Sequence, residues 1–193
     1  KEFKIDVPKY VMVPRNAFMR HIELEKRLVK LKAYAEKSSL NTIELNSRRT
    51  GFITSGVTYL YAKEMYPDAS FLKLGLTHPF PSKLAKEFSR KVKNIFVIEE
   101  LEPFLEDELR KAGIHCKAKD PSYRIGELRP EDIPDIVKGK KRTLAAMATR
   151  KPVMCPGCPH RSVFAVLKKL RLIVTGDIGC YTLGALPPLS ALH

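Results

Sequence analysis

The chain has 193 residues, 44% of them hydrophobic, with a formal charge of +14 and a pI near 9.7. That is material for one large domain or two small ones with a packed core. No apolar run approaches the roughly 18 residues that a membrane helix needs, and no signal-peptide pattern opens the chain. The charge would suit nucleic acid, but the basic residues are spread along the chain without an RNA-binding or zinc-finger signature, so they read as solvated helix faces. The expected setting is the cytoplasm, with no membrane and no nucleic-acid partner. Glutamine is absent while Lys, Arg and Glu abound, a bias resembling a thermophile surface. The chain opens on Lys1 and stops at His193 in a Pro-rich stretch, so it is expected to be an internal piece of a longer polypeptide.

Residues 1–12 read as extended. Over about 16–38, Phe18, Ile22, Leu24, Leu28, Leu31 and Ala35 recur at helical spacing between Glu and Lys residues. Gly51-Phe52-Ile53-Thr54-Ser55-Gly56 predicts a buried strand ending at a Ser-Gly turn, and 57–65 a helix stopped by Pro67. A second strand is expected over 71–75, a turn at 79–81, and a helix over 82–88 with Ser82 as its N-cap. Residues 94–100 predict the third strand, and 104–112 a helix closed by Gly113. This alternation is the pattern of a small parallel α/β sheet with flanking helices, with Ile53, Leu72, Leu74, Phe96, Val97 and Ile98 in its core. Cys116, in what reads as a short strand after Gly113, is expected to be a small buried hydrophobe. Residues 120–149, with Pro121, Pro130, Pro134 and the basic run 138–142, read as a solvated connector. Beyond it, 161–170 predicts a helix with Val163, Phe164, Leu167 and Leu170 on one face, and 172–176 a strand. Residues 176–184 would then be the loop at the strand's carboxyl end, where open α/β sheets bind ligands.

The densest chemistry lies in Cys155-Pro156-Gly157-Cys158-Pro159-His160-Arg161 and Gly176-Asp177-Ile178-Gly179-Cys180-Tyr181, which hold three of the four cysteines. A C-x-x-C brings two thiolates within reach of one metal, cluster or disulfide. Pro156-Gly157 suits a tight turn and Pro159 the first turn of a helix. With no signal segment, the cysteines point to a reducing compartment and a metal or redox role. The residues alone leave four uses open. One is a thioredoxin-like dithiol, although no strand precedes the pair. Another is a zinc site from Cys155, Cys158, Cys180 and His160. A third is an iron–sulfur cluster whose fourth thiolate is Cys116 or lies elsewhere. The fourth is a purely structural role. Gly176-Asp177 invites comparison with the Gly-Asp-Gly of thiamine diphosphate enzymes, but Ile178 replaces the second Gly and no later Asn follows. Asp177 is therefore not assigned as a metal ligand, and reads as a loop aspartate accepting backbone N–H groups.

Taken together, 155–161, 176–184 and Pro187-Pro188-Leu189 resemble the alpha subunit of indolepyruvate:ferredoxin oxidoreductase, within the thiamine-diphosphate 2-oxoacid:ferredoxin oxidoreductase family. Residues 9–14, 53–56, 72–75 with Pro79, and 99–105 agree, so the resemblance covers essentially the whole chain. It implies an end piece of a preceding domain with a linker helix over 1–46 and a transketolase C-terminal-like α/β domain over 47–119. A connector over 120–149 and the start of the diphosphate-binding domain over 150–193 would follow. It also implies the activity, conversion of aryl pyruvates to aryl-acetyl-CoA with ferredoxin as acceptor. The implied cofactors are thiamine diphosphate with Mg2+ and a 4Fe-4S cluster, with coenzyme A as co-substrate. Cys155, Cys158 and Cys180 would be three cluster ligands, and His160, Gly176, Asp177, Ile178, Gly179, Cys180, Tyr181 and Thr182 would serve cofactor binding. The implied partners are a separate beta subunit in a hetero-oligomer, ferredoxin and the aryl pyruvate, and the isolated piece would be inactive. One departure stands out: at Leu170-Arg171-Leu172 the expected helix runs into the expected strand with almost no loop. The rival reading is a non-catalytic zinc- or cluster-binding module with a basic partner-binding surface.

Overall fold

Four short strands rich in β-branched and aromatic residues form one sheet: β1 Asn41–Glu44, β2 Thr50–Ser55, β3 Ser70–Leu74 and β4 Asn94–Ile98, in the order β1-β3-β2-β4. The computed structural model describes residues 4–143 and 152–192, and the chain divides into two compact units, 1–143 and 144–193. β2 runs parallel to both β3 and β4, as the strand–helix alternation predicts. β1 is antiparallel to β3 and was not predicted, because Asn41-Thr42-Ile43-Glu44 is too short and polar to show alternation.

The register divides the core in two. Phe52 lies across from Phe71 and Phe96, with ring centroids 5.5 and 5.6 Å away, on one face. Ile53 lies across from Leu72 and Val97 on the other. Side chains alternate across a strand, so each cross-strand row serves a single face. Ile53, Leu72, Leu74, Phe96, Val97 and Ile98 are all buried, as expected.

Helices α3 Thr58–Met65, α4 Ser82–Ser89 and α5 Phe104–Lys111 cover these faces close to their predicted places. The cap of α4 differs. Ser82 is the first helical residue and makes no side-chain cap bond. The orphan N–H groups of Lys83 and Leu84 donate instead to the Glu36 carboxylate at 3.0 and 2.9 Å. A helix start leaves several N–H groups unmet, and any well-placed carboxylate can accept them. Glu36 follows α2, Pro14–Ala35, whose exposed Phe18, Leu24, Val29 and Leu31 leave Ala35 as its buried residue. Before α2, residues expected to be extended form a single helical turn, α1 Val7–Tyr10, capped by Asp6.

The segment expected as a solvated connector is packed over much of its length. Tyr123, Leu128, Ile133 and Ile136 are buried against Phe52, Phe71, Phe96 and Ile98. Its prolines start structure rather than exclude it: Pro121 opens a 3-10 turn over Pro121–Arg124, and Pro134 sits in the first turn of α6, Asp132–Val137. Lys138, Lys140 and Lys141 are exposed as expected. Arg142 instead turns back to the Asp132 carboxylate at 3.2 Å and to the carbonyls of Ile125 and Glu127. The connector's end, 144–149, lies outside the described residues.

Gly51 is the tightest point beneath α4. A Cβ there would stand 2.8 Å from a Val92 methyl and 2.9 Å from the Phe88 ring. Gly51→Ala should therefore cost about 1–3 kcal/mol through overpacking. Chemical denaturation checks this, and an unchanged midpoint would show that α4 shifts freely.

Candidate functional site

The second unit is built on α7, Pro159–Lys169, which starts where Pro159 was expected to start it. Cys158 is the N-cap, and its N–H donates to the Cys155 carbonyl at 3.2 Å, closing the C-x-x-C turn. Gly157 holds φ at +75°, the left-handed region that glycine enters without a Cβ penalty. The Cys158 Sγ lies 3.3 Å from His160 Nδ1. The His160 ring meets the Tyr181 ring edge-on with centroids 5.2 Å apart. Since Tyr181 follows Cys180, this contact sets the Cys180 loop beside the C-x-x-C turn.

A small core fixes the arrangement. Met154, Phe164 and Ala191 are buried, with Cys158, Leu167, Leu183, Leu189 and Leu192 packed around them. Gly184 comes so near Phe164 that a Cβ would stand 2.8 Å from its ring. Lys168 Nζ donates to the Pro188 carbonyl at 2.7 Å. Of the predicted apolar face of α7, Phe164 and Leu167 pack, while Val163 and Leu170 are exposed.

The strand expected over 172–176 does not form. Leu172 and Ile173 are exposed, Ile173 at 87%, and Arg171 takes a positive φ of 54° directly after α7. A strand exists through its ladder, and no described residue of this unit pairs with this segment. The loop that follows is organised by Thr182, whose hydroxyl donates to the Asp177 carbonyl at 3.0 Å and accepts from the Gly179 N–H at 3.3 Å. It ends in a 3-10 turn, Cys180–Ala185. Ile178 is 89% exposed. The Asp177 carboxylate accepts no hydrogen bond among the described residues, so the reading of a loop aspartate that caps backbone N–H groups does not hold.

Cys155 and Cys180 are exposed and Cys158 is half-buried, all as free thiols. Among the described residues, no three or more Cys, His, Asp or Glu are grouped to hold a metal ion. The site therefore presents two thiol-bearing turns side by side rather than a completed ligand set. Cys116 lies in the other unit, half-buried against the sheet core, where burial pushes its thiol pKa up. The strand expected around it amounts to one parallel bridge, Phe96 to Lys117. Iodoacetamide is expected to modify Cys155 and Cys180 well before Cys116, because the thiolate is the reacting species and burial disfavours it. Mass spectrometry of partly alkylated folded protein checks this, and early labelling of Cys116 would contradict its burial.

The sequence reading passed over one buried ionisable pair. Glu99 and Lys119 are both buried at the carboxyl end of β4. The Glu99 carboxylate accepts from the N–H groups of Leu105 and Glu106 at 2.7 and 3.0 Å, capping α5, and the Lys119 ammonium donates to the Glu99 carbonyl. Burial pushes the Glu99 pKa up and the Lys119 pKa down. The signal in the sequence was an acidic residue five positions before a helix that begins after Pro103.

No family model matches the chain. It is similar to indolepyruvate oxidoreductase subunit IorA of Pyrococcus horikoshii, at 30% identity over 98% of this chain and 34% of that subunit. The same subunit of Methanothermobacter thermautotrophicus is 30% identical over 98% of this chain and 36% of the relative, and that of Archaeoglobus fulgidus 29% identical over 94% and 34%. The chain is a relative of the IorA subunits. It spans about a third of their length. The Pyrococcus alignment runs over 221 positions, more than the 193 residues of this chain, so that IorA subunit carries positions within the shared stretch that this chain lacks. In fold, the chain is similar to a solved 2-oxoglutarate:ferredoxin oxidoreductase from Magnetococcus marinus with 2-oxoglutarate, coenzyme A and succinyl-CoA bound. The TM-score is 0.50 at 20% identity, over 65% of this chain and 23% of that one. No helix among the described residues is long and apolar enough to cross a membrane.

Proposed function

We propose that this chain is part of a cytoplasmic 2-oxoacid:ferredoxin oxidoreductase, and that the intact enzyme converts aryl pyruvates of the indolepyruvate type to aryl-acetyl-CoA. Its similarity to IorA subunits over nearly all its length supports the reaction class. The observation that carries the site is the His160–Tyr181 contact, which sets the Cys180 loop beside the Cys155–Cys158 turn. In this reading the sheet unit is the transketolase C-terminal-like domain, with 120–143 packed on it, and 150–193 opens the diphosphate-binding domain. Cys155, Cys158 and Cys180 serve a 4Fe-4S cluster whose remaining donor lies elsewhere in the assembly, and His160 and 176–182 face thiamine diphosphate with its Mg2+. A cluster at that place would pass electrons singly to ferredoxin, while the thiamine supplies the carbanion chemistry. A separate beta subunit completes the hetero-oligomer.

The test is ferredoxin reduction by the intact enzyme with coenzyme A and, in turn, indolepyruvate, phenylpyruvate, pyruvate and 2-oxoglutarate. Aryl pyruvates should give the highest kcat/KM. Cys158→Ser should lower kcat for ferredoxin reduction at least about tenfold with little change in the KM for the oxoacid. Absence of CoA-dependent turnover with every oxoacid, or stoichiometric zinc without iron in anaerobically purified protein, would overturn the proposal and favour a zinc-binding module.

A further inference from the structure

We propose that the cleft at the amino ends of β2 and β4 binds a phosphorylated small molecule of nucleotide size. Residues 45–49 lead into β2 and 90–93 into β4. The two loops are tied together: the Lys93 N–H donates to the Arg48 carbonyl at 2.8 Å, and the Asn94 N–H and side-chain amide to the Arg49 carbonyl at 3.0 and 3.1 Å. Between them lies a cavity of about 580 Å3 lined by Leu45, Asn46, Ser47, Arg48, Arg90 and Lys91. That volume falls within the roughly 300–1,000 Å3 of small-ligand sites.

The tie gathers five cationic residues, Arg48, Arg49, Arg90, Lys91 and Lys93, onto two short exposed loops. Lys91 holds the Glu87 carboxylate at 2.6 Å. The side chains of Arg48, Arg49, Arg90 and Lys93 make no hydrogen bond or ion pair among the described residues. Like charges crowded around a concavity repel one another, and a bound anion relieves this. The guanidinium fork matches phosphate oxygens in pairs, so Arg48 and Arg90, one from each loop, suit a di- or triphosphate. The Ser47 hydroxyl accepts from the Arg49 N–H at 3.1 Å and keeps its own proton to donate. Leu45, 52% exposed, offers an apolar wall to the organic part of a phosphate ester. A flat basic face would suit nucleic acid better, but this one is concave and confined to two loops. It also lies at the end of the sheet opposite the strands' carboxyl ends, so it is separate from the crevice that open α/β sheets ordinarily use.

The experiment is calorimetric titration of the intact protein at low salt with ADP, with inorganic pyrophosphate and with a single-stranded oligonucleotide. ADP and pyrophosphate should both bind saturably. Arg48→Ala with Arg90→Ala should weaken ADP about a hundredfold, roughly tenfold for each guanidinium lost. Arg15→Ala with Arg27→Ala, which removes the same charge from α2, should change ADP affinity less than twofold. Should the first variant fail to fold, ADP should still slow phenylglyoxal modification of Arg48 and Arg90, and not of Arg129, in the unaltered protein. Absence of saturable ADP binding up to millimolar concentrations, equal weakening by the α2 control, or tighter binding of the oligonucleotide than of ADP would each overturn the proposal.

Discussion

Val97→Asp is expected to leave no cooperatively folded sheet unit. Val97 is 1% exposed, the next-to-last residue of β4. It lies across from Ile53 in β2, and its N–H donates to the Lys117 carbonyl at 2.8 Å on the other side, so the strand is held from both edges. Its side chain enters the cluster of Ile53, Leu72, Phe88, Leu105 and Leu109. That cluster is built of apolar side chains, so the new group must be buried unpaired or the strand must leave the sheet. An unpaired buried carboxylate costs many kcal/mol, against a total stability of only about 5–15 kcal/mol for a domain. Val97→Ala, which removes two methyl groups and adds no charge, should stay folded and lose about 2 kcal/mol. Circular dichroism during urea unfolding separates the two. A Val97→Asp variant that unfolds cooperatively at the wild-type midpoint would remove β4 from the core.

The sheet was legible where a run of residues carried a repeating pattern of its own. β2, β3, β4 and the helices between them announce themselves because apolar residues recur at strand or helix period between Gly, Pro and Ser breaks. What escaped depends on partners distant in sequence. β1 is a strand only because β3 offers an edge, Asn41 to Leu74 through Glu44 to Phe71. Residues 120–137 pack only because Phe52, Phe71 and Phe96 present an aromatic surface that local composition cannot reveal. The cap of α4 comes from Glu36, 47 and 48 positions before the N–H groups it accepts. The converse error has the same cause. Leu172-Ile173-Val174 has strand composition, but composition supplies no hydrogen-bonding neighbour, and Leu172 and Ile173 stay exposed. At the candidate site, the C-x-x-C turn and the start of α7 could be read from Pro156, Gly157 and Pro159 alone. The edge-on contact of His160 with Tyr181 required the fold of a loop about 20 residues away.

Glu99→Ala should be the most damaging substitution of a charged residue in the sheet unit, at about 3–5 kcal/mol. The carboxylate does two things at once. It accepts the N–H groups of Leu105 and Glu106, which otherwise stand unmet at the buried start of α5. It also supplies the negative charge beside the buried ammonium of Lys119. Burial pushes the Glu99 pKa above the usual carboxylate range, and those two N–H groups and Lys119 offset part of that rise. Alanine removes the counter-charge and both acceptor contacts but leaves Lys119 where it is, and losing one partner of a buried pair costs more than the pair itself contributes. Glu99→Gln keeps one acceptor oxygen without the charge and should lose less than alanine does. The deciding comparison is Glu99→Ala with Lys119→Met, in which an unbranched apolar chain fills the volume of the lysine stem and no charge remains to be neutralised. That double variant should be more stable than Glu99→Ala alone, with a favourable coupling of at least about 1 kcal/mol in a double-mutant cycle. A Glu99→Ala variant within about 0.5 kcal/mol of wild type would mean that water reaches the start of α5 and that neither the cap nor the pair holds the turn after β4 in place.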